Sequence, residues 1–285
     1  MKLADIDAVG VVGAGTMGSG IAQVAAVAGY RVALHDIEAA VVDSGLERIE
    51  ANLGRSVARG DLDRSLADEA RDRIEGTTDL AALSTADLVV EAVTEDLSVK
   101  QSVFADLAET CGSDTVLATN TSTLSITSIA SVADRPERVV GLHFMNPVPV
   151  MAGVEVVVGE HTSEETVGLA HEFAGALDKE TWEADDKPGF VVNRVLMPWI
   201  NEGIRAYDEG VAEKGDVDRG LRLGTNVPMG PLELADHIGL DVVLDASETL
   251  HAELGDRYRP AYLLKRKVEA GDLGKKTGAG FYEYE

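Results

Sequence analysis

The sequence predicts an α/β protein in which a doubly wound parallel sheet precedes an all-helical C-terminal domain. A glycine-rich turn joins a strand to a helix near the N-terminus, strand and helix patterns then alternate, and strand patterns stop near Lys187. With 285 residues and 45% hydrophobic composition, the chain can bury one large core or two smaller ones. We expect one domain over residues 1–187 and a second over residues 188–285.

The first strand and helix enclose a turn that is typical of a dinucleotide site. The apolar run DAVGVV leads into GAGTMG and then into the helix-forming SGIAQVAAVA. In the G-x-G-x-x-G spacing, the first glycine permits a tight turn, the second lets amides approach a pyrophosphate, and the third lets helix and strand pack closely. The residues expected to bind the cofactor here are Gly13, Ala14, Gly15, Thr16, Met17 and Gly18.

The second strand, RVALH, is followed directly by Asp36. A carboxylate at this point of a Rossmann-like fold accepts hydrogen bonds from the adenosine ribose and repels the extra phosphate of NADP, so NAD is the predicted cofactor. An Asp that only caps the next helix is the alternative. Two helices around Gly60 then form an inserted hairpin, whose polar face carries Asn52, Arg55 and Arg59. Spacing alone favours a solvated face for this basic strip.

Further strands and helices continue the alternation through DLVVEAV and TVLATN to VVGLHF and VEVVVG. Oxidation of an alcohol needs a base for the hydroxyl proton as well as a hydride acceptor. Among the six histidines, His143 stands at the end of a strand and is followed by a strand-borne carboxylate, Glu155. If the two strands are neighbours, the carboxylate can fix the tautomer of the imidazole. A structural histidine remains the alternative.

After Lys187 the patterns are helical. PGFVVNRVLMPWINEGIRAYDEG begins with a proline suited to a helix start. The residues predicted to form its buried face are Val191, Val195, Trp199 and Ile204. Four shorter helical stretches punctuated by glycine or proline follow. Such a domain beside a nucleotide-binding sheet favours a homodimer.

Composition limits the partners and the compartment. Fifty acidic residues against 25 basic residues give a net charge of -25, which disfavours nucleic acid and anionic membranes. Acidic residues occur throughout the chain, as suits a protein of a halophilic prokaryote. A single cysteine and the lack of a credible signal or spanning segment predict a cytoplasmic protein. No metal site is expected.

Seven motifs occur in order, GAGTMGSGIAQ, EAVTEDLSVK, NTSTLSITSIA, GLHFMNPVPVM, PGFVVNRVL, GTNVPMGPLELAD and GKKTGAGFYEY. Together they resemble the L-3-hydroxyacyl-CoA dehydrogenase family over essentially the whole chain, and its short 3-hydroxybutyryl-CoA dehydrogenases are nearest in length. The resemblance implies reversible, NAD-dependent oxidation of an L-3-hydroxyacyl-CoA to a 3-oxoacyl-CoA, in fatty acid β-oxidation or short-chain acyl-CoA metabolism.

The resemblance also implies roles for individual residues. It makes His143 the general base and Glu155 the group that orients it, and it places Ser122 and Asn193 at the substrate oxygen. The remaining cofactor residues that it implies are Asp36, Glu95, Lys100, Ser122, Asn146 and Lys276. It assigns coenzyme A contacts to Asn52 and Arg59, so the basic strip becomes a phosphate site.

Some positions depart from the family pattern. Where family members commonly read V-M-K-L-V-E, this chain reads VMAGVE, so Ala152 and Gly153 replace a lysine and a bulky residue. Thr123 and Met145 also differ from the common residues. No catalytic group is removed, but the preferred acyl length stays open.

Two other functions remain open from sequence. A related dehydrogenase of a free hydroxy acid such as L-gulonate would share the fold and the His/Glu pair but would have no use for the basic strip. A non-catalytic NAD-binding protein would need no proton acceptor, and the retention of His143, Glu155, Ser122 and Asn193 argues against it.

Overall fold

The structure is a computed structural model, and it describes residues 2–284. The described chain separates into two compact units, with the boundary between Lys187 and Pro188. The strands of the first unit are β1 (Ala8–Val12), β2 (Arg31–His35), β3 (Ile74–Thr77), β4 (Leu88–Glu91), β5 (Val116–Thr119), β6 (Val139–Phe144), β7 (Gly153–Val158) and β8 (Glu180–Asp185). Its helices are α1 (Thr16–Val27), α2 (Ala39–Arg59), α3 (Arg64–Asp72), α4 (Leu97–Thr110), α5 (Ile126–Ala130) and α6 (Glu164–Ala176).

The strands of the first unit form one mixed sheet, in the order β3-β2-β1-β4-β5-β6-β7-β8. The predicted parallel pairing is confirmed from β3 across to β6. It is wrong at β7, which runs antiparallel to β6, because the short loop between them has no room for a crossover helix. The carboxyl ends of β1, β4, β5 and β6 therefore share one edge, where ligands of such sheets bind.

The sequence patterns did not predict two strands, β3 and β8, which are the two edge strands of the sheet. The inserted hairpin was expected and is present as α2 and α3, and α2 ends at Gly60 with a φ of 79°. Ile49 and Leu53 of α2 are buried in the core of the first unit, which leaves Asn52 and Arg59 on the outer surface.

The core of the first unit lies between the sheet and its helices. Every residue of β1 is buried, as its continuous apolar sequence predicts for a central parallel strand. On β7, Val154 and Val156 belong to the same buried cluster as Leu169 and Phe173 of α6. Because side chains alternate along a strand, Glu155 points to the opposite face of the sheet.

The second unit is helical. Its helices are α7 (Val192–Asp208), α8 (Lys214–Thr225), α9 (Pro231–Ile238), α10 (Leu240–Leu254) and α11 (Tyr262–Ala270). Their shared core includes Ile200, Ile204, Leu232, Leu240 and Leu250. Within residues 2–284, no helix combines the length and the apolar character needed to cross a membrane.

The predicted buried face of α7 was partly wrong. Ile204 is fully buried, and Trp199 packs at the edge of the core. Val191 and Val195 are 47% and 66% exposed, because the stripe that meets the neighbouring helices runs through Met197, Ile200 and Ile204 instead. The helix also begins at Val192, after a turn that contains Pro188.

Candidate active site

The glycine-rich turn between β1 and α1 has the shape that a dinucleotide pyrophosphate requires. Gly13 has a φ of 99°, and a Cβ at Gly18 would overlap the carbonyl oxygen of Gly13. At Gly15 a Cβ would meet nothing within 4 Å, so the backbone there borders open space. Gly15 is the N-cap of α1 and has no side chain to occupy the first-turn amides. These amides and the helix dipole suit a phosphate, so the turn fits NAD.

Asp36 follows β2 and is tied to the same turn. Its Oδ2 accepts a hydrogen bond from the Ala14 amide at 2.9 Å, and its Oδ1 accepts one from the Glu38 amide at 3.3 Å. The N-cap of α2 is Glu38, so Asp36 does more than cap the next helix. His35 is buried at the end of β2, and burial lowers its pKa because the charged imidazolium is disfavoured there.

A buried ion pair lies between the ends of β4 and β5. Lys100 of α4 is 1% exposed, and its Nζ donates to Glu91 Oε1 at 2.7 Å. The other carboxylate oxygen of Glu91 accepts from Thr119 Oγ1 at 2.7 Å. The Lys100 Nζ also lies 3.4 Å from Glu95 Oε2. A buried charge needs such partners, so this pair fixes the position of Lys100.

Glu95 holds the turn that contains Ser122. Its Oε1 accepts hydrogen bonds from Thr121 Oγ1 at 2.6 Å and from the amides of Ser122 and Thr123 at 2.8 and 3.0 Å. Burial acts to raise the pKa of Glu95, but Lys100 and these donors outweigh it and leave the pKa below its ordinary value. The carboxylate is therefore charged at neutral pH and keeps the turn in place.

His143, Glu155 and Trp182 face one another across three neighbouring strands. The register pairs His143 with Glu155 between β6 and β7, and Glu155 with Trp182 between β7 and β8. His143 Nδ1 lies 2.7 Å from Glu155 Oε2, and Trp182 Nε1 donates to Glu155 Oε1 at 3.0 Å. The predicted contact between His143 and Glu155 is thus present, and Glu155 is fully buried. A buried carboxylate on one ring nitrogen supports proton uptake at the other.

Lys179 stabilises the loop between β6 and β7. Lys179 Nζ donates to the carbonyl oxygens of Val148 and Met151, both at 2.8 Å. Burial lowers the pKa of Lys179. Val148 packs against Gly20 of α1, where a Cβ would come within 2.9 Å of it. The loop, with Asn146 exposed in it, therefore lies over the helix that begins at the glycine-rich turn.

The other predicted residues lie on α2 and in the second unit. Asn52 accepts a hydrogen bond from Arg55, and Arg59 Nε lies 2.9 Å from Asp61 Oδ2 on the exposed face of α2. In the second unit, Asn193 stands in the first turn of α7, and Lys276 forms an ion pair with Asp241.

Sequence patterns missed several supporting residues. Asp186 accepts hydrogen bonds from Ser125 Oγ and from the amides of Ile126 and Thr127, and so holds the far side of the Ser122 turn. Trp182 was missed because its strand was missed. The unusual Gly153 could have signalled it, since space beside a buried carboxylate calls for another side chain. Within the described residues, no group of three or more His, Cys, Asp or Glu could hold a metal ion.

Comparison with known proteins agrees with this geometry. Residues 8–187 match the family profile described as 3-hydroxyacyl-CoA dehydrogenase, NAD binding domain, and residues 189–284 match that of the C-terminal domain. The chain is 48% identical over 282 residues to a probable 3-hydroxybutyryl-CoA dehydrogenase of Bacillus subtilis, which covers 99% of this chain and 98% of that protein. It is 45% identical over 285 residues to a 3-hydroxybutyryl-CoA dehydrogenase of Clostridioides difficile, which covers 100% and 99%. The solved (S)-3-hydroxybutyryl-CoA dehydrogenase of Ralstonia eutropha has a TM-score of 0.94 at 43% identity and covers 99% and 100%.

Proposed function

Because the chain belongs to the 3-hydroxyacyl-CoA dehydrogenase family, a family of NAD-dependent oxidoreductases, we propose that its substrate pair is 3-hydroxybutyryl-CoA and acetoacetyl-CoA. The observation that carries the dehydrogenase chemistry is the buried contact between His143 and Glu155 at the carboxyl end of β6. Full-length relatives named for this substrate support the short acyl chain. The enzyme would serve fatty acid β-oxidation or short-chain acyl-CoA metabolism.

In this proposal His143 is the base. Its Nδ1 is turned to Glu155, so Nε2 takes the proton of the substrate hydroxyl as the carbonyl forms. Bound NAD supplies the hydride acceptor. Glu155 offsets the positive charge that the imidazole gains, which stabilises the transition state in a buried setting. Ser122 holds the substrate oxygen, and its turn is already fixed by Glu95. For Asn193 the family likeness alone supports the same role.

The cofactor residues follow the edge of the sheet. The glycine-rich turn holds the pyrophosphate, and Asp36 binds the adenosine ribose. Glu95, Lys100, Ser122 and Asn146 are assigned to the nicotinamide half. Glu95, Lys100 and Ser122 lie together at the ends of β4 and β5 and form what we term the Glu95 cluster, since Glu95 accepts a hydrogen bond from the Ser122 amide and lies 3.4 Å from Lys100 Nζ. Lys276 is assigned to the cofactor on family likeness alone.

The activity test follows the loss of NADH absorbance with acetoacetyl-CoA, a longer 3-oxoacyl-CoA and free acetoacetate. We expect the highest kcat/KM with acetoacetyl-CoA and little turnover of the free acid. His143→Gln should lower kcat by roughly 10²–10⁴-fold while NADH binding, measured by fluorescence titration, stays close to wild type. Absence of NADH oxidation with both CoA esters would rule the proposal out.

The coenzyme A site on α2 has its own test. Arg59 is exposed and positively charged, and it lies about two helical turns along α2 from Asn52, as suits a phosphate of coenzyme A. We expect Arg59→Glu to raise KM for acetoacetyl-CoA by roughly tenfold, because one charge-assisted contact becomes repulsive. Arg71→Glu is the matched control, since Arg71 is an exposed arginine on α3 that pairs with Asp72. Equal KM values for Arg59→Glu and Arg71→Glu would contradict a coenzyme A site on α2.

The second unit is proposed to form a homodimer. It exposes large apolar side chains, among them Val195 at 66%, Leu223 at 76% and Tyr262 at 71%, and exposed apolar surface favours a protein contact. Light scattering should give twice the chain mass of 30.1 kDa. A species of 30.1 kDa at micromolar concentration would contradict the homodimer.

A reducing cytoplasm is the proposed location, because the one cysteine, Cys111, is a buried free thiol.

A further inference from the structure

Trp182 occupies the space beside the buried carboxylate of the proposed catalytic pair. It lies on β8 directly opposite Glu155, and its indole N–H donates to Glu155 Oε1 at 3.0 Å. The other carboxylate oxygen, Oε2, is 2.7 Å from His143 Nδ1. Each oxygen of the carboxylate is therefore engaged on a different strand, which limits its rotation and aims Oε2 at the imidazole.

Gly153 makes room for the indole. A Cβ built at this position would come within 2.7 Å of Trp182 Cζ3 and 2.8 Å of Cη2, closer than packed carbon atoms approach. The bulky residue that family members commonly carry here could not coexist with this placement of Trp182. The departure seen in VMAGVE is thus matched by a large side chain on the neighbouring strand, and that side chain also brings a hydrogen-bond donor.

We infer that Trp182 is a positioning residue, which holds Glu155 in register with His143 and lowers the pH at which the pair becomes active. The inference rests on the proposed function, because it acts through His143 as base. A donor on the carboxylate favours its charged form and spreads its negative charge. Without the donor, more negative charge would remain on Oε2, which favours the protonated, inactive imidazole and moves activity to higher pH.

The charged neighbours of Trp182 on β8 are Glu180 and Glu183. From β6, His143 is the titratable group that contacts Glu155. On β8, Glu180 shares the face of the indole but is exposed to solvent. Glu183 lies on the opposite face, where it approaches His171 of α6 at 3.8 Å. The indole is thus the donor from β8 that reaches the carboxylate.

The test compares Trp182→Phe with wild type. Phenylalanine keeps a ring over Gly153 and removes the N–H. In the oxidation of 3-hydroxybutyryl-CoA, we expect kcat to fall by roughly tenfold and the acid limb of its pH profile to move up by about one unit. KM values for both substrates should stay within about twofold of wild type. A structural defect alone would not move the acid limb.

The two tryptophans of the chain provide the control. Trp199→Phe removes the indole of α7, and its kcat and pH profile should match wild type. In this variant the remaining indole N–H resonance is that of Trp182, and its chemical shift should change with pH at the midpoint of the acid limb. This measurement does not depend on whether Trp182→Phe folds. A resonance that ignores this titration, or a folded Trp182→Phe with an unchanged pH profile, would overturn the inference. Inactive wild-type protein would count instead against the proposed function.

Discussion

At the scale of single residues, carboxylates fix the backbone of the candidate site. Glu95 and Asp186 hold the Ser122 turn from two sides, through Thr121 to Thr123 and through Ser125 to Thr127. Backbone amides that bind carboxylates give charge-assisted hydrogen bonds, which are stronger than neutral ones. In so acidic a chain, these two carboxylates are distinguished by their donors and not by their charge.

Glu95→Gln tests this role through stability. The pKa of Glu95 in the folded protein lies below its ordinary value of 4.5, so its stabilisation is complete above that value and is lost as the pH falls toward the folded pKa. We expect the variant to lose about 1–2 kcal/mol at pH 7, toward the low end because the side chain of Glu95 is 39% exposed. Urea unfolding from pH 7 to pH 3 should show a shallower decline for the variant than for wild type.

Glu109→Gln is the control for that experiment. Glu109 is an exposed carboxylate on α4, so its replacement removes the same charge without these donors. An equal effect of both substitutions on stability and on its pH dependence would show that net charge, and not the Ser122 turn, is responsible.

At the scale of elements, the interior of the sheet could be read from sequence and its edges could not. The continuous apolar runs of β1, β4, β5 and β6 follow from burial on both faces. The edge strand β8, by contrast, has three exposed acidic residues among its six, and β3 is short and contains Gly76. Edge strands are commonly short and charged, so their sequences resemble loops. Trp182 was lost with β8, although His143 and Glu155 were found.

The packing of Trp182 on β8 against Gly153 on β7 predicts that a substitution at one position offsets the loss of stability caused by a substitution at the other. Gly153→Leu alone should destabilise the protein by about 1–3 kcal/mol, since the added side chain must displace the indole. Trp182→Val alone leaves a cavity and should cost about 2–4 kcal/mol. The double variant should be at least as stable as the less stable of the two single variants. In it, the leucine at position 153 fills the space that the indole leaves. Thermal unfolding of all four proteins gives the coupling energy, and additive losses would show that the two positions are independent.

At the scale of the whole molecule, the sequence identified the segments that form the site but did not show that they lie close together. The glycine-rich turn, the Glu95 cluster and His143 are distant in the chain, and the sheet order brings the ends of β1, β4, β5 and β6 to one edge. Periodicity alone cannot supply strand order, whereas the family resemblance could name the residues. The exposed Val191 and Val195 show the same limit, since an apolar stripe does not reveal which partner covers it.

The net charge of -25 belongs to no single element and predicts how the molecule responds to salt. Self-repulsion destabilises a compact state of high charge, and the Debye length falls from roughly 10 Å at 0.1 M salt to roughly 3 Å at 1 M. We expect the unfolding midpoint to rise between 0.1 and 2 M KCl, by about 2–4 °C for each kcal/mol of repulsion relieved. Activity at a fixed temperature should rise with it.

Sucrose separates charge screening from a general effect of cosolvent. It stabilises folded proteins by exclusion from their surface and does not screen charge. If repulsion is the cause, salt should give most of its gain below about 1 M, where the Debye length changes most, whereas sucrose should act gradually over its whole range. Lowering the pH toward the isoelectric point of about 4.5 removes the repulsion by another route, so the gain from KCl should shrink at pH 5.5. A salt response that is the same at pH 5.5 and pH 7.5, or a midpoint that falls with KCl, would show that the acidic surface does not adapt this protein to salt.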